Sequence, residues 1–212
     1  MVLIHAQQQG NVASPPLSMR CPVCRHQGLF VPVGADIGYI VENDGWYTAG
    51  QRICPRPFCN TVIFGLFQTE GLVISYPAER IDFDATGIPE RIVASLDEAI
   101  TCHANCCYIA AAIMVRKTLE LLCHKRGAKG DNLVKRIKVL GAQAILPREL
   151  FDGLDDLRLL GNDAAHIESI HFNQVGDDEL NVAIAFTKMV LQSVYQYASL
   201  LDQMRALRRA TE

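Results

Sequence analysis

The first pattern of apolar positions is that of a small β-sheet. Between Gly28 and Tyr76, short runs of β-branched and aromatic residues are separated by turn residues, which is typical of strands. Asn43-Asp-Gly45 favours a tight hairpin turn, because glycine supplies the positive φ that two-residue turns need. The sequence therefore predicts an antiparallel sheet built from Leu29–Val33, Ile37–Val41, Trp46–Thr48, Gln51–Ile53, Thr61–Phe67 and Leu72–Tyr76.

The second pattern, beyond residue 95, has helical spacing. Ser95-Leu-Asp-Glu98 matches a capping box and predicts a first helix that ends at Gly127. A shorter helix is predicted over 132–140, and Pro147 suits the first turn of a third. The acidic residues at 177–179 suit the positive end of a long last helix. The second half therefore predicts a bundle of four helices.

Together the two patterns predict the α+β class, with residues 20–77 as a β domain and residues 95–212 as a helical bundle. Residues 1–19 are expected to be an N-terminal tail, and residues 78–94 a linker. Half of the 212 residues are apolar and the formal net charge is −3, as in an ordinary soluble protein.

Membrane insertion and secretion are not expected. The most apolar window, residues 106–123, contains Arg116, Lys117 and Glu120, which is typical of a buried helix rather than a membrane span. The first residues show no basic and apolar run of the kind that directs secretion. We therefore expect a cytoplasmic protein, whose thiols remain reduced.

Four cysteines carry the clearest candidate chemistry. Cys21-Pro-Val-Cys24 and Cys54-Pro-Arg-Pro-Phe-Cys59 form two short pairs on either side of predicted strands. Two such pairs complete the tetrahedral shell of a structural Zn²⁺ site, which leaves no position for water. The wider second pair leaves His26 as an alternative ligand. A disulfide pair or free buried thiols are the other interpretation, which a reducing compartment disfavours.

The remaining four cysteines lie in an apolar, alanine-rich stretch. The sequence predicts that they are small core residues, and a second metal site or a redox role is the alternative. These residues are Cys102, Cys106, Cys107 and Cys123.

Charge is distributed unevenly along the second half. Residues 116–138 are predominantly basic, whereas residues 149–179 are predominantly acidic. Solvated helix faces explain this pattern. Two alternatives are a basic surface that binds phosphate and a pair of complementary surfaces that meet in a homodimer. The candidate nucleic-acid contacts are Arg116, Lys117, Lys135 and Arg136.

Arg158, Asn162 and His166 are the candidate catalytic residues. Their spacing of i, i+4 and i+8 would align them on one face of a continuous helix. Such a row can hold a phosphate and exchange a proton near neutral pH. The alternative is that His166 caps a helix or bonds to a structural partner.

Several segments together resemble the bacterial domain of unknown function family 4145. They are CPVC, CPRPFC, Ser75-Tyr-Pro77, Ile88-Pro-Glu90, the helix over 107–120 and Leu159-Leu-Gly-Asn-Asp-Ala-Ala-His166. That family is similar to the HEPN superfamily of helical domains, many of which are metal-independent ribonucleases of toxin and anti-phage systems. The resemblance implies a HEPN-like bundle, a homodimer formed through it, and a match of His166 to the motif histidine.

One position departs from the active HEPN pattern. Active nucleases place an arginine closer to that histidine, often directly before a polar residue such as asparagine. Here Gly161 precedes Asn162, and Arg158 lies a full turn too early. Arg116 of the first predicted helix is the other arginine that could supply this charge.

Two functions follow from these observations. The first is a non-catalytic binding or regulatory module with structural zinc, which contacts RNA, DNA or a protein partner in a defence or restriction context. The second is a metal-independent ribonuclease in which His166 is the acid or base, Arg158 or Arg116 steadies the phosphate, and Asn162 orients the scissile group. A nucleotide-sensing domain is a third hypothesis, although the chain has no glycine-rich phosphate loop.

Overall fold

A computed structural model describes residues 6–41, 45–69, 71–142 and 175–209. The chain divides into two compact units, Met1–Arg80 and Ile81–Glu212. The described strands all belong to the first unit and the described helices to the second. The predicted α+β class is therefore confirmed.

The β unit is one antiparallel sheet of seven strands among the described residues. Strand β5 is central: β4 and then β3 pair along one edge of it, and β6 pairs along the other. Strand β1 extends the sheet beyond β4, β2 beyond β3, and β7 beyond β6. The strands are β1 Ala6–Val12, β2 Leu17–Arg20, β3 Gln27–Pro32, β4 Asp36–Val41, β5 Gly45–Ile53, β6 Val62–Gln68 and β7 Gly71–Tyr76.

Two strands lie where the sequence analysis expects a tail. Strand β1 pairs with β4 through Gln7↔Ile40 and Gln8↔Tyr39, although its own side chains are mostly polar and exposed. Strand β2 forms a hairpin with β3. Backbone hydrogen bonds hold an edge strand whatever its side chains, so a polar sequence such as Gln7-Gln-Gln9 gives no apolar pattern from which to predict it.

A buried ion pair joins the central strand β5 to its neighbour β4. Both terminal nitrogens of Arg52 donate to the carboxylate of Asp36, each over 2.7 Å. Arg52 is 2% exposed and Asp36 1% exposed, and the guanidinium lies 4.4 Å from the centre of the Phe67 ring. Gly50 leaves room for the pair, because a Cβ there would overlap the Asp36 carboxylate. The ion pair thus explains the glycine within β5. The sequence analysis expected two strands here, 46–48 and 51–53, on either side of this glycine.

The helical unit has five α-helices within the described ranges. Leu96, Leu119, Ile137 and Ile184 are among the residues of its single buried core. A π-helical segment, Gln192–Tyr197, joins the last two helices. None of these helices is long and apolar enough to cross a membrane. The helices are α1 Glu90–Ala104, α2 Tyr108–Lys125, α3 Leu133–Gly141, α4 Asp177–Leu191 and α5 Ala198–Arg209.

The prediction of one first helix from Ser95 to Gly127 is wrong. Helix α1 begins at Glu90, directly after Pro89, and Ser95 is buried within it. The Ser95 hydroxyl accepts a hydrogen bond from the Thr118 hydroxyl over 3.0 Å, so this serine links α1 to α2 instead of capping a helix. The apparent capping box therefore lies inside α1, where Ser95 contacts α2 and Glu98 is exposed.

The break between α1 and α2 is a Schellman motif. The Cys107 N–H donates to the Cys102 carbonyl over 2.8 Å, and the Cys106 N–H donates to the His103 carbonyl over 2.9 Å. Cys106 occupies the left-handed position of this motif, with φ of 58°. Glycine usually fills that position, so the sequence gives no sign that a helix ends here.

Replacing Cys106 by glycine is therefore expected to stabilise the helical unit by up to about 1 kcal/mol, because a Cβ is unfavourable at positive φ. Urea unfolding followed by the helical circular dichroism signal measures this change. Cys106→Ala is the matched control: it removes the thiol but keeps the Cβ, so its stability should not rise. An equal gain in the alanine variant would contradict the backbone explanation.

The starts of α3 and α4 agree with the sequence, whereas the single long last helix that it predicts is divided by the π-helical segment. Helix α3 begins after Asn132, whose side chain accepts the Lys135 N–H over 2.8 Å. Helix α4 begins at Asp177, as expected. The third predicted helix, which starts at Pro147, lies outside the described residues. Arg126, directly after α2, donates to the Val194 carbonyl of the π-helical segment over 2.8 Å.

Candidate metal centre

Two hairpin loops carry the four cysteines. Cys21 and Cys24 lie in the loop between β2 and β3, and Cys54 and Cys59 lie in the loop between β5 and β6. Strands β3 and β5 pair through Val31↔Ile53 and Pro32↔Arg52, which brings the two loops together. Cysteines 30 or more positions apart are thereby placed side by side.

The four sulfur atoms form a compact group. The Sγ atoms of Cys21 and Cys59 lie 3.8 Å apart, those of Cys24 and Cys54 lie 3.7 Å apart, and all four lie within 4.8 Å of one another. A tetrahedral ion with metal–sulfur bonds near 2.3 Å would hold its sulfurs about 3.8 Å apart. The thiols are therefore arranged as a site that could hold a metal ion.

The local backbone supports this arrangement. The Cys24 N–H donates to Cys21 Sγ over 3.4 Å, and the Cys21 N–H donates to the His26 carbonyl over 2.9 Å. Arg25 and Phe58 both adopt positive φ, near 63° and 68°. These left-handed residues turn each loop tightly enough for both of its sulfurs to point to one place.

Thr61 was not identified from the sequence as part of the site. Its hydroxyl lies 3.1 Å from Cys59 Sγ, and this hydrogen bond lowers the pKa of Cys59 to about 6. Burial instead raises the pKa of Cys54 to about 12. A bound cation would favour the thiolate form of all four residues. In the sequence, the only sign of this contact is that Thr61 lies two residues after Cys59.

Of the alternative interpretations, a disulfide pair and ligation by His26 do not match the geometry, whereas free thiols do. All four thiols are free, and the sulfur separations near 3.7 Å far exceed a disulfide bond of about 2.05 Å. His26 is exposed and lies outside the four-sulfur group found among the described residues. Four thiolates would complete a tetrahedral shell, so an ion bound here would have a structural role rather than activate water.

Comparison with known families covers the helical part of the chain. The family described as "Domain of unknown function (DUF4145)" matches residues 97–209, which is more than half of the 212 residues. The chain belongs to the DUF4145 family. The DUF4145 match begins within α1 and ends at the last residue of α5, whereas the four clustered cysteines precede it. Neither a curated protein nor a solved structure matches the chain.

Within the DUF4145 region, three of the four candidate nucleic-acid contacts also bond within the chain. Arg116 Nε donates to Glu120 over 3.0 Å, and Lys135 Nζ donates to Asp131 over 2.7 Å. Arg136 Nε donates to the Gly130 carbonyl over 3.0 Å, a contact that fixes the turn before α3. Lys117 is exposed on α2.

The candidate catalytic residues also belong to the DUF4145 region. Arg158, Asn162 and His166 lie within the matched range but outside the described residues. Their proposed roles therefore stay predictions.

The remaining four cysteines of the chain lie in the DUF4145 region and differ in burial. Cys123 is buried, and burial raises its pKa to about 11, as expected of an inert core thiol. Cys102 is half-buried, whereas Cys106 and Cys107 are exposed. The prediction that all four are core residues is wrong for the last two, because the helix break turns them towards solvent.

Proposed function

We propose that this protein is a non-catalytic binding module, in which a structural Zn²⁺ stabilises the β unit and the DUF4145 region contacts nucleic acid. The compact group of four sulfurs carries the first part of the proposal. The exposed basic residues of α2, α3 and the turn between them support the second part. A defence or restriction setting agrees with the resemblance to HEPN domains.

Zinc is the metal that this donor set fits best. Four thiolates in tetrahedral arrangement suit Zn²⁺ or iron, and zinc predominates in structural sites of this type. We expect one zinc ion per chain in protein purified under reducing conditions, measured by elemental analysis. An iron content of one per chain, with visible absorption, would contradict zinc, and a metal-free folded protein would contradict the site.

The basic surface is favoured by the way α3 packs. Leu133, Ile137 and Leu140 are buried, which leaves Lys135 and Lys138 on the outer side of the helix. Lys117, Lys125 and Lys129 are exposed nearby in the chain. Between residues 116 and 138 only Glu120 and Asp131 are acidic. Such an excess of positive charge attracts phosphate, with an affinity that falls as salt rises.

Lys117→Glu and Lys135→Glu are expected to weaken nucleic-acid binding and to make it less dependent on salt. Each removes one cation and adds one anion at the proposed surface, so the slope of log affinity against log salt should decrease by about 1 or more. Fluorescence anisotropy with labelled single- and double-stranded RNA and DNA measures both quantities. Arg91→Glu makes the same charge change at an exposed position of α1 and is the control.

Equal losses in Arg91→Glu and Lys117→Glu would show that binding is unspecific, and absence of binding at low salt would favour a protein partner.

The competing ribonuclease hypothesis is tested by incubating labelled RNA with the protein in EDTA, beside the variant His166→Ala. A non-catalytic module requires that both preparations leave the RNA intact. Cleavage that depends on His166 would contradict it.

A further inference from the structure

One face of the β-sheet is apolar and exposed, although its strands are well paired. Along β3 and β6 the side chains alternate between the two faces: Phe30 and Ile63 are fully buried, while their neighbours are exposed. The exposed residues that share one face are Leu29, Val31, Val62, Phe64, Ile74 and Tyr76. We call these six residues the apolar sheet face.

The strand register makes this face continuous. Val31 lies opposite Ile53, which lies opposite Val62, so the three side chains project from the same side of the sheet. In the next row, Gln51 lies opposite Phe64, which lies opposite Tyr76. The face therefore crosses β3, β5, β6 and β7; β5 contributes Ile53 and the uncharged but polar Gln51 to these rows.

Beside β3 and β6, the opposite face of the same sheet packs into a small core. Met19, Phe30 and Ile63 pack there with Cys21 and Cys54 in a small core. A sheet that buries one face normally keeps the other polar, with alternating polar side chains. Here exposure runs from 38% at Val62 to 72% at Tyr76, in a contiguous apolar patch of the kind that marks an interaction site.

We propose that the apolar sheet face is the dimer interface, and that its occupant is the same face of a second copy of this chain. No charged residue lies within the six, so a two-fold axis can bring two copies together without like-charge repulsion. Two such sheets can stack at the usual separation of about 10 Å. Nucleic acid is a poor fit, because none of the six residues is a cation; Arg20 on the edge strand β2, opposite Gln27, lies on the same side but outside the six.

The size of the face agrees with this occupant. About half of the surface of these six side chains is exposed, which amounts to on the order of 500 Å² per copy, since a whole aromatic side chain buries roughly 150–250 Å² and the four aliphatic ones less. A standard interface buries roughly 800 Å² per partner, rim included. The sequence analysis expected a homodimer through the helical bundle, so this inference places the interface on the other unit.

Sedimentation velocity with the full-length, metal-loaded protein tests the proposal. The wild type is expected to be a dimer whose dissociation is detectable on dilution from about 100 µM to about 1 µM. Phe64→Lys and Val31→Lys place like charges across the two-fold axis and should weaken dimerisation by at least about 100-fold. Circular dichroism and zinc content should stay those of the wild type, which shows that the variants fold.

Ile40→Lys is the matched control. Ile40 is 45% exposed, against 54% for Phe64, but its pairing with Trp46 places it on the opposite face of the sheet. This variant should dimerise as the wild type does. A monomeric wild type at about 100 µM, a dimeric Phe64→Lys, or equal weakening by Ile40→Lys would each overturn the proposal.

Discussion

Replacing Cys54 by serine is expected to release the proposed metal ion and unfold the β unit. Binding of structural zinc contributes about 10 kcal/mol or more to folding in small metallo-domains, whereas a whole domain is stable by about 5–15 kcal/mol. Among the described residues, the core that surrounds the cysteines has only three other buried apolar side chains, Met19, Phe30 and Ile63. Burial of so little apolar surface does not replace the ion.

The two units give separate signals, which makes this result measurable. The chain has one tryptophan, Trp46, which lies on β5 of the β unit. Its fluorescence should report unfolding in Cys54→Ser, while most helical circular dichroism remains, because the helical unit has its own core. Elemental analysis should show loss of metal.

Cys107→Ser is the control for this experiment. Cys107 is an exposed thiol of the helical unit, so its replacement should leave metal content and Trp46 fluorescence unchanged. If Cys54→Ser retained a folded β unit without metal, the ion would not be needed for folding. If both variants lost metal equally, the site would not be the four clustered cysteines.

Replacing Arg52 by methionine is expected to destabilise the β unit by about 3–5 kcal/mol. The substitution leaves the Asp36 carboxylate buried without its partner, and an uncompensated buried charge is costly. It also removes the guanidinium from the Phe67 ring. Urea unfolding followed by Trp46 fluorescence measures the loss.

The double variant Asp36→Leu with Arg52→Met separates the charge effect from packing. Because it removes both members of the pair, it should be more stable than Arg52→Met alone, which a double-mutant cycle quantifies. Lys117→Met removes an exposed cation from the other unit and should not alter the Trp46 transition. A double variant less stable than Arg52→Met would show that packing, and not the buried charge, causes the loss.

The sequence predicted those parts of the fold that depend on local patterns. Alternating apolar residues revealed β3 to β7, and Asn132 and Asp177 marked the starts of α3 and α4 correctly. Local patterns failed where tertiary contacts decide the conformation. Ser95 resembles a cap in the sequence, but in the structure its hydroxyl accepts a hydrogen bond from Thr118 of the neighbouring helix α2. The sequence analysis did not predict strand β1, because its own sequence has no apolar pattern and its position depends on backbone pairing with β4.

The candidate metal site was also predicted only in part from the sequence. Cysteine spacing was enough to select the four clustered thiols, since each pair lies in one loop and ligand chemistry needs two such pairs. The pairing of Val31 with Ile53 could not be predicted, because it depends on the register between β3 and β5. The hydrogen bond between the Thr61 hydroxyl and Cys59 Sγ depends on the local turn of the loop, which residue types alone do not fix. The roles of Arg158, Asn162 and His166 stay predictions.

The short ladder between β3 and β5 has a consequence for the order of assembly. Only two residue pairs join these strands, while the β2–β3 and β5–β6 hairpins each have longer ladders of their own. Hairpins form within microseconds, whereas joining distant segments first requires closure of a long loop. Each hairpin can thus form before the two are joined, and binding of the proposed ion would be a late step that holds both hairpins together.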